Sequence, residues 1–195
     1  MPFHPLLVVG FVAHISSSAM YIWSTYKGNT QPNRVTFFMW AVAPFIATAA
    51  ALSEGIGWAV LPVFMSGFMP FVIFLASFVN PKAYWRLSRL DFICGALSVL
   101  ALVLWYVTNN ALVAIALAIA SDTAAAIPTV IKAYQYPDTE HPGAYTGSTI
   151  NNLLVFFVLP AYTFAAIAFP AYFVVLNIVI LIGIYRKRLI KLLKV

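Results

Sequence analysis

Asp122 lies inside a long apolar segment, ten positions before Lys132. At about 1.5 Å per helical residue, its carboxyl is roughly 15 Å from the segment's basic end. In a bilayer that is near the midplane, where an aspartate costs on the order of 3 kcal/mol and usually faces a cavity or a partner. Two roles suit it: a carboxylate that carries a proton or meets a solute, or a hydrogen-bonded interior aspartate that holds helices together. His14 lies at the same depth in the first apolar segment. Brought together, the two would share one proton, and the titration would belong to the pair. Kept apart, His14 is a satisfied interior histidine. Asn151 and Asn152 open the sixth segment about a turn from its inner end. Adjacent helical residues point about 100° apart, so at most one of them is expected to face a pocket squarely. Their other role is hydrogen bonding between helices, at roughly 0.6 kcal/mol each. Pro128 lacks the N–H of a regular helix and has the best claim to be a moving hinge. Pro44, Pro62, Pro70 and Pro160 read as static kinks, and Ser16, Ser17 and Ser18 either allow close packing or line a cavity, packing being the safer expectation.

Several chemistries lack their signatures. No lysine lies mid-span, which argues against a retinal Schiff base. His4, His14 and His141 have no neighbours at metal-ligand spacing, so no metal and no cofactor is expected. No phosphate-binding glycine loop is present, and nothing in the spacing supports a Ser–His–Asp triad through Ser17, His14 and Asp122. The single cysteine, Cys94, cannot form an intramolecular disulfide.

The elements that must position these groups are apolar. The 195 residues are 63% hydrophobic and 8% charged, with mean hydropathy +0.94. No soluble domain hides that much apolar surface, so the solvent is lipid. The net charge of +6 then reads as a topology signal, not as a nucleic-acid footprint. All 11 Lys and Arg residues lie in alternate gaps: Lys27 and Arg34; Lys82, Arg86 and Arg89; Lys132; and Arg186 to Lys194. Cytoplasmic loops collect such residues, so the alternation predicts seven spans with the N-terminus outside and the C-terminus cytoplasmic. The first stretch lacks a positive leader region and reads as a retained span.

The predicted spans are 5–23, 35–52, 57–79, 91–107, 112–133, 148–167 and 172–185. Glu54 and Gly55 would sit in an outer turn, and Asn109 in another. Thr36 and Thr146 are expected to cap the helices after their loops. Trp23, Tyr26, Tyr84, Trp85, Tyr134 and Tyr136 would mark the inner interface, and Trp58, Trp105, Tyr106 and Tyr172 the outer one.

The chain also repeats. With Tyr26 set over Tyr134, His14 falls over Asp122 without a gap, and Ser16–Ser18 over Ala124–Ala126. Forwards, Thr30 falls near Thr139 and Pro32 near Pro142. The expected fold class is therefore an all-α integral membrane protein of seven transmembrane helices in a 3+1+3 arrangement: two parallel three-helix bundles (1–79 and 109–195), joined by an inner loop and linker helix (80–108). Parallel repeats about an axis along the membrane normal are a known transporter plan, with the solute between the halves near the midplane.

This arrangement resembles the SWEET, SemiSWEET and PQ-loop families of membrane transporters. The stretch from Ile127 to Tyr134, centred on Pro128, looks like the proline-containing end of the first helix of a bundle, and the short polar loop with Glu140 follows as in those families. The Pro-Gln dipeptide of the families is absent: Thr129 follows Pro128, and Met20-Tyr21 takes the matching place in the first half. The resemblance implies a site role for an Asn in the third helix of a bundle, matched by Asn177, and for an aromatic in the second helix, matched by Trp40. The matching region of the third span offers Ser66 or Gly67.

The expectation is a facilitator or proton-coupled transporter of a small polar solute such as a sugar, amino acid or vitamin precursor. Asp122, His14, Asn177, Asn151 and Trp40 would border its site. An integral-membrane enzyme is the alternative, for which the inner loops offer Asp91, Asp138, Glu140 and His141. A non-transporting receptor or assembly protein is a third reading. The expected partners are the solute and the lipid bilayer, with no nucleic acid; a homo-oligomer is left open.

Overall fold

The computed structural model describes residues 5–53, 61–108, 111–159 and 161–193. Among them are seven α-helices and no strand: α1 Pro5–Tyr26, α2 Arg34–Ser53, α3 Leu61–Ala76, α4 Arg89–Val107, α5 Ala111–Gln135, α6 Gly143–Val155 and α7 Phe164–Leu193. Four contain stretches long and apolar enough to cross a membrane: Pro5–Tyr26, Arg89–Val107, Ile115–Gln135 and Ala166–Arg186. The apolar stretches Arg34–Phe45 and Phe64–Ala76 are shorter.

Side chains sort by polarity in the sense that lipid requires. Phe92, Val107 and Val175 are each more than 60% exposed, whereas Asn33, Thr36, Ser77, Thr129 and Lys132 are at most 1% exposed. A water-soluble domain places these groups the other way round.

Local chemistry sets the helix starts. Ser88 and Asp91 form a capping box on α4: the Ser88 N–H donates to Asp91 Oδ2 at 2.5 Å, and the Asp91 N–H to Ser88 Oγ at 3.4 Å. Asn33 Oδ1 accepts the Thr36 N–H at 3.2 Å in the first turn of α2, while the Asn33 amide donates to Asp91 Oδ1. The cap expected of Thr36 thus belongs to Asn33. Thr146 is not a cap either: its hydroxyl donates back to Pro142 O at 3.0 Å, inside the first turn of α6.

α1 packs on α6 and α3; α2 on α3, α4 and α5; α5 on α4 and α7; and α6 on α7. Hydrogen bonds gather the basic gaps at one end of the molecule. Asn80 Nδ2 donates to Tyr26 O at 2.9 Å, and Gln31 Nε2 to Lys82 O at 3.2 Å. The Gln31 N–H reaches Thr139 O at 2.9 Å, and Arg186 Nε donates to Tyr134 O. Gly28 makes the turn after α1 at φ +77°, which a glycine adopts without strain.

The closest seam runs between α1 and α6. A Cβ on Gly10 would stand 2.7 Å from Asn151 Oδ1, and one on Gly147 would meet Ser17 Oγ and come within 2.8 Å of Ala13 O. Gly143 and Gly147 lie four residues apart, the small-residue spacing that lets membrane helices approach, and Gly10 of α1 gives the room opposite Asn151. Residues 143–147, expected to close the inner loop before the sixth span, are therefore helix, because their small residues are packing surface. The sixth span is corrected accordingly: α6 ends at Val155, and α7 begins at Phe164, eight residues before the expected Tyr172. At about 1.5 Å per residue, α6 is roughly 20 Å long, short of a full crossing. Tyr172 lies inside α7, about two turns from its start. Proline also interrupts α7, at Pro170.

The positions assigned to His4, Glu54, Gly55, Trp58, Asn109, Pro160 and Lys194 lie outside the described residues, as does the side chain of Pro62.

Candidate functional site

A cavity of about 500 Å³ lies among α1, α2, α3, α5, α6 and α7. Asp122, His14, Asn177, Asn151 and Trp40 all border it; Pro128 does not. The wall on α1 includes Leu7, Phe11, His14 and Ser18, a single helical face that spans roughly 16 Å from first to last. Most of the remaining wall is apolar or aromatic, so the few polar groups decide what can be held.

Asp122 Oδ2 accepts the Tyr172 hydroxyl at 2.7 Å. Trp40 Nε1 reaches the Asp122 carbonyl at 3.5 Å, which sets the indole beside the carboxylate's helix turn. The expected pair of Asp122 with His14 is not formed. Tyr172 takes that place because the earlier start of α7 carries its ring to the Asp122 level. His14 Nδ1 is buried and bonds to no group, and the same holds for Ser18 Oγ. Two of the three serines divide: Ser17 is packing surface, its hydroxyl tied to Ala13 O at 2.7 Å, whereas Ser18 borders the cavity.

Both Asn151 and Asn152 border the cavity, because it wraps around more of α6 than one helical face. The Asn152 amide is tied to Ser148 O at 2.8 Å. Asn177 is 5% exposed and donates to Ser148 Oγ at 3.0 Å and Phe173 O at 2.7 Å, so it also joins α7 to α6. In α3 the cavity takes Ser66 and Met69, while Gly67 packs against Ala41 and Pro44 of α2.

Beneath the cavity lies a polar plug that the sequence reading did not anticipate. Tyr145 borders the cavity and donates to Glu140 Oε2 at 3.1 Å; the Tyr21 hydroxyl donates to the same oxygen at 2.8 Å. Lys132 Nζ pairs with Glu140 Oε1 at 2.6 Å, with the two side chains 1% and 0% exposed. Lys132 also donates to Thr139 O at 3.3 Å and to Gln31 O, and lies 4.9 Å from the Trp85 ring centre. Three acceptors meet its three protons, as a buried ammonium demands. Lys132 is thus more than a marker of the inner edge. It ties α5 to both neighbouring loops, and Glu140 carries the tie on to α1 and α6. Beside the plug, His141 Nδ1 accepts the Gly143 N–H at 3.0 Å at the start of α6. Burial holds this imidazole below its ordinary pKa, and the Glu140 charge opposes that shift.

The sequence missed the role of Tyr172 and the plug, and ranked a cavity role for Ser18 below packing and Asn152 below Asn151. Glu140 and Lys132, eight residues apart across a loop, offered the clearest unused signal. No protein-family model, curated protein or solved structure matches this chain.

Proposed function

We propose that this protein is a membrane transporter of a small polar solute, working as a facilitator or with proton coupling. The observation that carries the reading is the cavity: within an envelope that turns apolar side chains outward, Asp122, His14, Asn151, Asn177 and Trp40 converge on one space of about 500 Å³. Cavities of a few hundred cubic ångströms suit small molecules.

In this reading α1–α3 and α5–α7 are two similarly oriented bundles, and α4 is the linker. The packing supports it. Exchanging α1, α2 and α3 for α5, α6 and α7 leaves the neighbours unchanged: α1 on α6 becomes α5 on α2, α2 on α3 becomes α6 on α7, and α1 on α3 becomes α5 on α7. The N-terminus lies outside and the basic end in the cytoplasm, where the Tyr21–Glu140–Lys132–Tyr145 plug closes the inner side. The bundles rock around the solute, with Pro128 permitting the bend.

Reconstitution in liposomes tests the proposal. Uptake of at least one sugar, amino acid or vitamin from a tracer panel is expected, with and without a pH gradient, and Asp122→Asn should lower it at least tenfold. A panel that finds no uptake above empty liposomes removes the transporter reading. Uptake that Asp122→Asn leaves unchanged at every pH removes the role of the carboxylate.

A further inference from the structure

The charge content of the cavity selects among solutes. Asp122 is the one Asp or Glu among the described residues that border it, and no Lys or Arg borders it. The Tyr172 hydroxyl engages Oδ2 of this carboxylate, and among the described residues no cationic side chain pairs with it. Buried Lys132 is committed to Glu140. A carboxylate within apolar walls requires a proton or a cation beside it. The Trp40 indole N–H reaches the backbone carbonyl of the same residue at 3.5 Å, which sets an aromatic ring of the cavity wall close to the carboxylate.

A second, independent observation comes from α1. Ser18 is 1% exposed, borders the cavity, and its hydroxyl bonds to nothing. His14 Nδ1, one turn earlier on the same face, is orphaned as well. Buried polar groups left without partners are costly, and a ligand that bonds them is favoured over one that cannot. A hydroxyl both donates and accepts, and a neutral imidazole does one or the other at Nδ1, so the complement is a neutral hydrogen-bonding group.

We propose that the cavity takes a small organic monocation, its ammonium held by Asp122 beside Trp40 and its neutral hydroxyl or amide end bonded by Ser18 and His14. This names the solute class for the transporter reading on which it rests.

The test uses the full chain in lipid nanodiscs and isothermal titration with linear amino alcohols of two to six carbons. Matched alkylamines and diols, glucose and succinate are the comparisons. At least one amino alcohol should bind, and its diol at least tenfold more weakly; this comparison needs no variant. Asp122→Asn should weaken amine binding at least tenfold, while Asp122→Glu retains it. Ser18→Ala should weaken the amino alcohol at least threefold and leave the alkylamine unchanged. Three results overturn the inference: no amine binds; glucose or succinate binds as tightly as the best amine; or a folded Asp122→Asn protein binds amines like the wild type. Liposome uptake separates the two proposals. Uptake of a neutral solute, insensitive to Asp122→Asn, ends the cation inference and leaves transport standing. Amine binding that depends on Asp122 but brings no uptake keeps the ligand class and ends the transport reading.

Discussion

Single atoms decide much of this molecule's stability. Gly147 has no room for a Cβ, because Ser17, Ala13 and His14 crowd it from α1. Gly147→Val should therefore destabilise the protein by about 1–3 kcal/mol, the usual cost of overpacking, read as a lower midpoint of thermal unfolding in micelles. An unchanged midpoint would mean that α1 and α6 separate freely. His141 gives a pH dependence with a definite sign. Its folded pKa is lowered, chiefly by burial, and Nδ1 must stay unprotonated to accept from Gly143. The unfolded chain takes up the proton near pH 6.5, before the folded one does, so stability falls as pH drops below about 7. The unfolding midpoint should fall between pH 7.5 and 5.5, and His141→Asn should flatten that slope. An identical slope in the variant would assign the effect elsewhere. Asp122 and His14 stood out in the sequence because ionisable groups in apolar segments are conspicuous. Ser18 was ambiguous, because a serine in a membrane helix can pack or line a cavity until its neighbours are known.

At the scale of elements, the breaks in regularity have neighbours that complete them. Pro128 leaves the Ala124 carbonyl without its regular helical donor, and α2 bonds the carbonyl of the next residue. The Thr36 hydroxyl donates to Ala125 O at 2.7 Å and accepts from Thr129 Oγ1 at 2.9 Å. If Pro128 is the hinge, Pro128→Ala should slow uptake several-fold and leave equilibrium solute binding unchanged; equal loss of both would make it a static kink. The plug joins α1, α5 and α6 through one carboxylate. Lys132→Met leaves Glu140 buried without its cation and should cost about 3–5 kcal/mol. Lys132→Met combined with Glu140→Gln should recover part of that loss, and a double variant as unstable as the sum of the two single variants would deny the coupling. The first five helix positions could be read from apolar runs between charged gaps. The sixth and seventh could not, because Gly143 and Gly147 have loop-like identities and helical packing roles.

For the whole molecule, orientation is testable through the lone cysteine. In a Cys94→Ala background, cysteines at Thr108 or Tyr162 should react with an impermeant maleimide from outside intact cells, and cysteines at Lys27 or Arg86 only after lysis. Labelling of the Lys27 site from outside would invert the topology. The sequence by itself determined that this chain is helical, apolar and divided by charge into two ends, because hydropathy and the placement of Lys and Arg are properties of composition and order. It also located the ionisable groups along each helix. Tertiary structure alone decided which of them meet. A helix fixes the depth of a side chain, but its rotation and its neighbour depend on how the helices pack, and so Asp122 met Tyr172, 50 residues on, rather than His14, and Lys132 found Glu140 across a loop.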